Sequence, residues 1–128
     1  MSNKAFCELV LQHLNQVAPV TARAMFGGYG IYTDSVIFAL IADATLYFKV
    51  DDSNRNDFLA AGMKPFTYEA KGKPIEMSYC QLPEAVWQDL AMLATWVEKS
   101  VAVARRAKRK QKRHKASWKN QLPLAPEW

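Results

Sequence analysis

Between residues 21 and 50 the chain crowds four short β-prone runs together, near 21–26, 29–33, 36–42 and 45–50. Gly27-Gly28, Thr33-Asp34-Ser35 and Ala42-Asp43-Ala44 separate them. A parallel pair of strands needs a crossover of about a dozen residues or more. None of these breaks is long enough, so neighbouring strands must be antiparallel. The run VIFALIA is almost wholly apolar, which suits a central strand covered on at least one face, its alternate side chains still shielded. In TLYFKV, Leu46, Phe48 and Val50 share one side, and Tyr47 and Lys49 the other.

Helical periodicity flanks this block. In residues 4–17, Phe6, Leu9, Val10, Leu14 and Val17 recur at helical spacing, and Pro19 closes the segment. His13 lies among these positions and reads as a surface or half-buried residue, because no second histidine or carboxylate stands at helical spacing to help it. After the strands, Asp51, Asp52 or Ser53 is placed to cap a short helix ending at Gly62, with Phe58, Leu59 and Ala61 as its buried side. Residues 64–82 then read as a hairpin. Phe66, Tyr68 and Ala70 alternate, Lys71-Gly72-Lys73 turns, and Ile75, Met77 and Tyr79 alternate again. Pro83 and Glu84 open a last long helix with a stripe at Val86, Leu90, Leu93, Val97, Val101 and Ala104. Trp87, Met92 and Trp96 fall in or beside that stripe and are expected to pack in the core. The sum is an α+β fold built on an antiparallel sheet with helices.

The 128 residues suit one domain with one core, needing no metal or disulfide staple. Cys7 and Cys80 have no partner motif and read as buried thiols. With no signal peptide visible, they point to a reducing cytoplasm. No window approaches the ~18 apolar residues of a membrane span. The glycines of GGYG lie between two strands, with no Lys-Ser and no helix following, so a tight turn or bulge explains them better than a phosphate cradle. No catalytic Ser/His/Asp order and no zinc-type Cys/His spacing is present, so neither an enzyme nor a metal or other cofactor is expected.

The charge is divided unevenly. Residues 1–103 carry eight basic and eleven acidic side chains, whereas residues 104–128 carry nine basic ones and only Glu127. If the last helix runs past Ala104, its uncharged stripe continues at Ala107, Gln111, His114 and Trp118. Arg105, Arg106, Lys108, Arg109, Lys110, Lys112, Arg113, Lys115 and Lys119 take the remaining arc. A solvated helix would be expected to mix in glutamates at i,i+4. This one has no acid between Glu98 and Glu127, so the arc is a candidate site for DNA or RNA phosphate. The other reading is a protein-interaction or self-association module. Trp118, Leu122, Leu124 and Trp128 would then dock on the chain's own domain, on a second copy as a homodimer, or on a protein partner. A membrane surface fits poorly, because the seam is Ala and Gln rather than Leu and Phe.

Across RAMFGGYGIY, FALIADATLYFKVD, GMKPFTYE and MSYCQLPEAVWQD, from roughly residue 9 to 100, the chain resembles the N-terminal domain of the TfoX/Sxy family of bacterial competence regulators. The resemblance implies a two-layer α+β domain in the order helix–three strands–helix–two strands–long C-terminal helix. It also implies a non-enzymatic role in transcription and DNA uptake, with no catalytic or cofactor residues to carry across. In full-length regulators a second, helical domain follows, and those proteins act with a cyclic-AMP-dependent activator to switch on DNA-uptake genes; 128 residues leave no room for that second domain. The expected division is a family-like domain over residues 1–104 and a basic helical extension with an apolar tail over residues 105–128.

Overall fold

Ser2 accepts a hydrogen bond from the Ala5 amide at 3.2 Å and so starts the first helix, α1 (Asn3–Leu14). The computed structural model describes residues 2–25 and 27–117. After α1 come β1 (Thr21–Met25), β2 (Gly28–Thr33), β3 (Val36–Ala42), β4 (Thr45–Lys49), α2 (Arg55–Ala60), β5 (Pro65–Ala70), β6 (Lys73–Gln81), α3 (Glu84–Trp87) and α4 (Leu90–Ser117). The six strands form one antiparallel sheet in the order β1-β2-β3-β4-β6-β5. Four strands precede α2 where the family pattern implies three. The additional one, β1, is an edge strand that pairs with β2 alone, and three of its five residues are exposed.

Three of the connections are two-residue hairpin turns with both central residues at positive φ: Asp34-Ser35, Asp43-Ala44 and Lys71-Gly72. That backbone matches the twist of the flanking strands. The GGYG glycines also serve the sheet. Gly27 has φ +80° in the β1–β2 connection, and a Cβ on Gly28 would lie 2.0 Å from the Ile41 carbonyl oxygen.

One face of the sheet holds the core. Ile31 pairs with Ala39, Ala39 with Phe48, and Phe48 with Cys80, so these four point the same way. They meet Val10 and Leu14 of α1, Phe58 of α2, Val86 of α3, and Leu93, Val97 and Val101 of α4 in one buried cluster. Each large apolar side chain buried this fully contributes about 1.5–3 kcal/mol. The register slips between Ile31 and Tyr32, leaving one extra residue on β3. Such a bulge lets Phe38 and Ala39, adjacent in sequence, both enter the cluster. All four helices therefore lie on one layer, and the opposite face of the sheet carries Tyr32, Ile37, Leu40, Tyr47, Lys49 and Tyr79.

Several sequence expectations need correction. Leu9 is 48% exposed, and Cys7 takes its place in the core. Helix α1 stops at Leu14 because the Asn15 side chain takes over, donating to the Leu11 carbonyl and accepting the Val20 amide. In α2 only Phe58 is buried, with Leu59 and Ala61 turned to solvent. Asn54, rather than Asp51, Asp52 or Ser53, occupies the N-cap position of α2, and its side chain turns inward to Lys49, Asp51 and Ser100. The last helix is two. Asp89 interrupts it and caps α4, its Oδ1 accepting the Ala91 and Met92 amides at 3.1 and 3.2 Å. The break turns Leu90 and Met92 outward, while Trp87 and Trp96 remain packed against the core.

Candidate nucleic-acid interface

Helix α4 crosses the core face on Leu93, Val97, Val101 and Ala104, then continues without a break to Ser117. Its rise of about 1.5 Å per residue carries Ser117 roughly 13 Å beyond Lys108. The basic run begins where the helix passes the end of the sheet, and there the structure ties it down. Arg105 Nη2 lies 2.6 Å from Asp34 Oδ2 in the β2–β3 turn. Arg106 donates to Asp51 Oδ2 from Nη2 at 3.0 Å and from Nε at 3.3 Å, and its Nη2 also reaches Ser53 Oγ at 2.8 Å. Lys108 Nζ donates to the Ser35 carbonyl at 3.1 Å. The left-handed backbone of Asp34 and Ser35 turns the carboxylate and the carbonyl toward α4.

The electrostatics follow from this geometry. Burial acts to raise the Asp51 pKa, but hydrogen bonds from the Ser53 side chain and amide, together with the Arg106 guanidinium, outweigh it. The carboxyl is held below its ordinary range. Both ion pairs are part-exposed, so each is worth only about 0.2–1 kcal/mol. Their effect is on direction: they fix the line along which α4 leaves the domain.

The nine predicted phosphate-binding residues thus divide. Arg105, Arg106 and Lys108 contact the domain itself. Arg109 and Lys110 are exposed on the next turn. Lys112, Arg113 and Lys115 lie on the helical backbone, but their side chains fall outside the description. Lys119 lies outside the described residues, as do the four apolar tail positions Trp118, Leu122, Leu124 and Trp128. Sequence reasoning missed Asp34 and Asp51 as the partners that anchor the helix. Nothing local marks them, since each stands more than fifty positions from its arginine.

Other chemistry-bearing groups have structural settings. His13 donates from Nε2 to the Trp87 carbonyl at 2.7 Å and stacks on the Trp87 ring, centroids 4.0 Å apart. Cys7 and Cys80 are buried thiols. Burial, aided by Glu8, raises the pKa of Cys7. Burial raises that of Cys80 as well, with Arg55 opposing and Glu76 adding. Both are therefore weak nucleophiles at neutral pH. Among the described residues, no group of three or more His, Cys, Asp or Glu is placed to hold a metal ion, and no helix is long and apolar enough to cross a membrane.

Comparison with known proteins places this architecture. The family model described as the TfoX N-terminal domain matches residues 12–104. The chain is also 22% identical over 97 residues to Protein Sxy of Escherichia coli (strain K12). That alignment covers 76% of this chain and 46% of the Sxy protein, so the chain spans about half the length of this curated relative.

Proposed function

Because the chain belongs to the TfoX N-terminal domain family, we propose that it is a non-enzymatic regulatory protein of the competence type. On this reading it acts on transcription in the cytoplasm. It contacts DNA or RNA phosphate through the part of α4 beyond its anchors. The working unit has two parts, the family domain through Ala104 and a basic extension over residues 105–128.

One observation carries the reading. Helix α4 is continuous past the end of the sheet, with Arg109 and Lys110 exposed just beyond the residues that clamp it. The sequence adds four more basic residues by Lys119, and no acid before Glu127. Anchoring Arg105 and Arg106 to Asp34 and Asp51 holds the helix in one direction, so its cations are presented together. Such contacts position a protein on nucleic acid without reading sequence. Affinity is expected on the order of 10⁻⁴–10⁻⁶ M at physiological salt.

The test is a titration of a labelled DNA duplex at several salt concentrations. With about five phosphate contacts, log K falls against log[salt] with a slope of roughly −4 to −5. Replacing Arg109, Lys110, Lys112 and Arg113 by Gln should reduce that slope by about 3 to 4. Equal binding and an equal slope would remove the helix extension from the mechanism.

A further inference from the structure

The sheet has a second face that the helices do not serve. Gly30, Leu40, Tyr47 and Gln81 are cross-strand partners in one row, so they share that face. A Cβ on Gly30 would meet Ile37, Met25 and Tyr32 side chains within 3.2 Å, which places those three there too. Tyr47 packs on Phe66 with centroids 4.8 Å apart, carrying the apolar surface onto the β5–β6 hairpin. Helices α1, α2, α3 and α4 all join the cluster on the opposite face.

Leu40 is nonetheless 0% exposed. One of Leu40's two cross-strand partners is Gly30, and the Met25, Tyr32 and Ile37 side chains close over the space that glycine leaves. Tyr32, Ile37 and Tyr47 are themselves half-exposed, so the apolar surface open on this face is theirs.

We propose that residues 118–128 of the same chain, which lie outside the described residues, fold back and roof this outer face. Three features of the chain point to that occupant. The segment carries Trp118, Leu122, Leu124 and Trp128, four large apolar side chains in a short stretch. Pro123 and Pro126 oppose continuation of the helix and favour an extended path. Its origin is also suitably placed. Arg105 and Lys108 hold α4 against the Asp34-Ser35 turn, which joins β2 to β3, the strands bearing Tyr32, Ile37 and Leu40.

Length and charge agree. Eleven extended residues reach at most about 36–40 Å, whereas the seven residues of β3 span about 23 Å. Returning from Ser117 to the level of Lys108 uses about 13 Å of that reach, and the remainder of about 23 Å still carries the segment past Leu40, four residues into β3. The outer face bears the cations Arg23 and Lys49, and no carboxylate stands among the described positions of its central strands. The segment brings Glu127.

The experiment uses the full chain with labelled methyl groups in nuclear magnetic resonance. Cross-peaks are expected between indole protons of Trp118 or Trp128 and the methyls of Ile37, Leu40 and Met25, independent of protein concentration. Replacing Trp118, Leu122, Leu124 and Trp128 together by Ala should abolish those cross-peaks and shift the three methyl signals. The methyls of Val10 and Leu93, on the other face, should stay in place and report an intact core. Unmoved Ile37 and Leu40 signals in the variant would overturn the proposal. So would cross-peaks found only between differently labelled chains, which would assign the face to a second copy. A single-stranded oligonucleotide that shifts these methyls equally in the wild type and the variant would also overturn it, because the face would then be open.

Discussion

The Arg106 guanidinium converges on one carboxylate oxygen of Asp51, Nη2 at 3.0 Å and Nε at 3.3 Å, and so joins α4 to the turn that follows β4. The same carboxylate accepts the Ser53 amide at 2.8 Å through its other oxygen. One side chain therefore holds both the approach to α2 and the exit of α4.

Asp51→Asn should cost about 1 kcal/mol at neutral pH, since the site is part-exposed and solvent screens the pair. The sign of its pH dependence follows from the depressed pKa. A carboxyl held below its unfolded value of about 3.9 contributes stability that is complete above that pH and is lost as pH falls through the folded value. Urea unfolding of both proteins should show a steady difference from pH 8 to 5 that shrinks below about pH 4. A difference that persists undiminished at pH 2 would show that the carboxylate's charge is not the cause.

Gly28 and Gly27 are neighbours with different physical roles. An alanine Cβ at Gly28 meets the Ile41 backbone oxygen at 2.0 Å, and a strand in the middle of a sheet cannot step aside. Gly28→Ala should cost about 3 kcal/mol. At Gly27 nothing stands within 4 Å, and only the φ of +80° is strained, so Gly27→Ala should cost about 1–2 kcal/mol. Urea midpoints with unchanged slopes check both. Equal losses would mean that the close approach at Ile41 is relieved by movement.

Asp89→Ala removes the acceptor for two amides at the start of α4 and should cost about 1 kcal/mol. Asp89→Asn or Asp89→Ser should recover most of it, as both remain good caps. Thermal unfolding distinguishes them. No recovery in the Ser variant would mean that the side chain acts by some means other than capping.

The legible parts of this fold are those with local signatures. The short breaks at 33–35 and 42–44 required antiparallel strands, and both became hairpin turns. The stripe from Leu93 to Ala104 announced the buried side of α4. The bulge at Phe38 was not legible, because an unbroken apolar run gives no sign of a slip in alternation. The break at Asp89 was hidden because Val86, Leu90 and Leu93 keep helical spacing straight across it. The anchoring of the basic helix was hidden for a different reason. Ion pairing between residues 71 and 55 positions apart depends on the finished topology, and charge runs read along the chain carry no trace of it.

The division between anchored and exposed cations gives a last prediction, on single charges. Arg105 already lies 2.6 Å from Asp34, so bringing it to a phosphate would strand that carboxylate. Arg109 is exposed on the next turn. Arg109→Gln should therefore lower the magnitude of the salt slope for duplex binding by about 0.9, the amount expected for one lost phosphate contact. Arg105→Gln should leave the slope unchanged and lower stability by about 0.2–1 kcal/mol. The two variants remove the same charge from positions four residues apart on one helix, so long-range attraction alone would change both slopes alike. A matched decrease would show that the Asp34 pair opens on binding and that Arg105 joins the interface. An unchanged slope for Arg109→Gln, with binding intact, would place the phosphate contacts elsewhere on the chain.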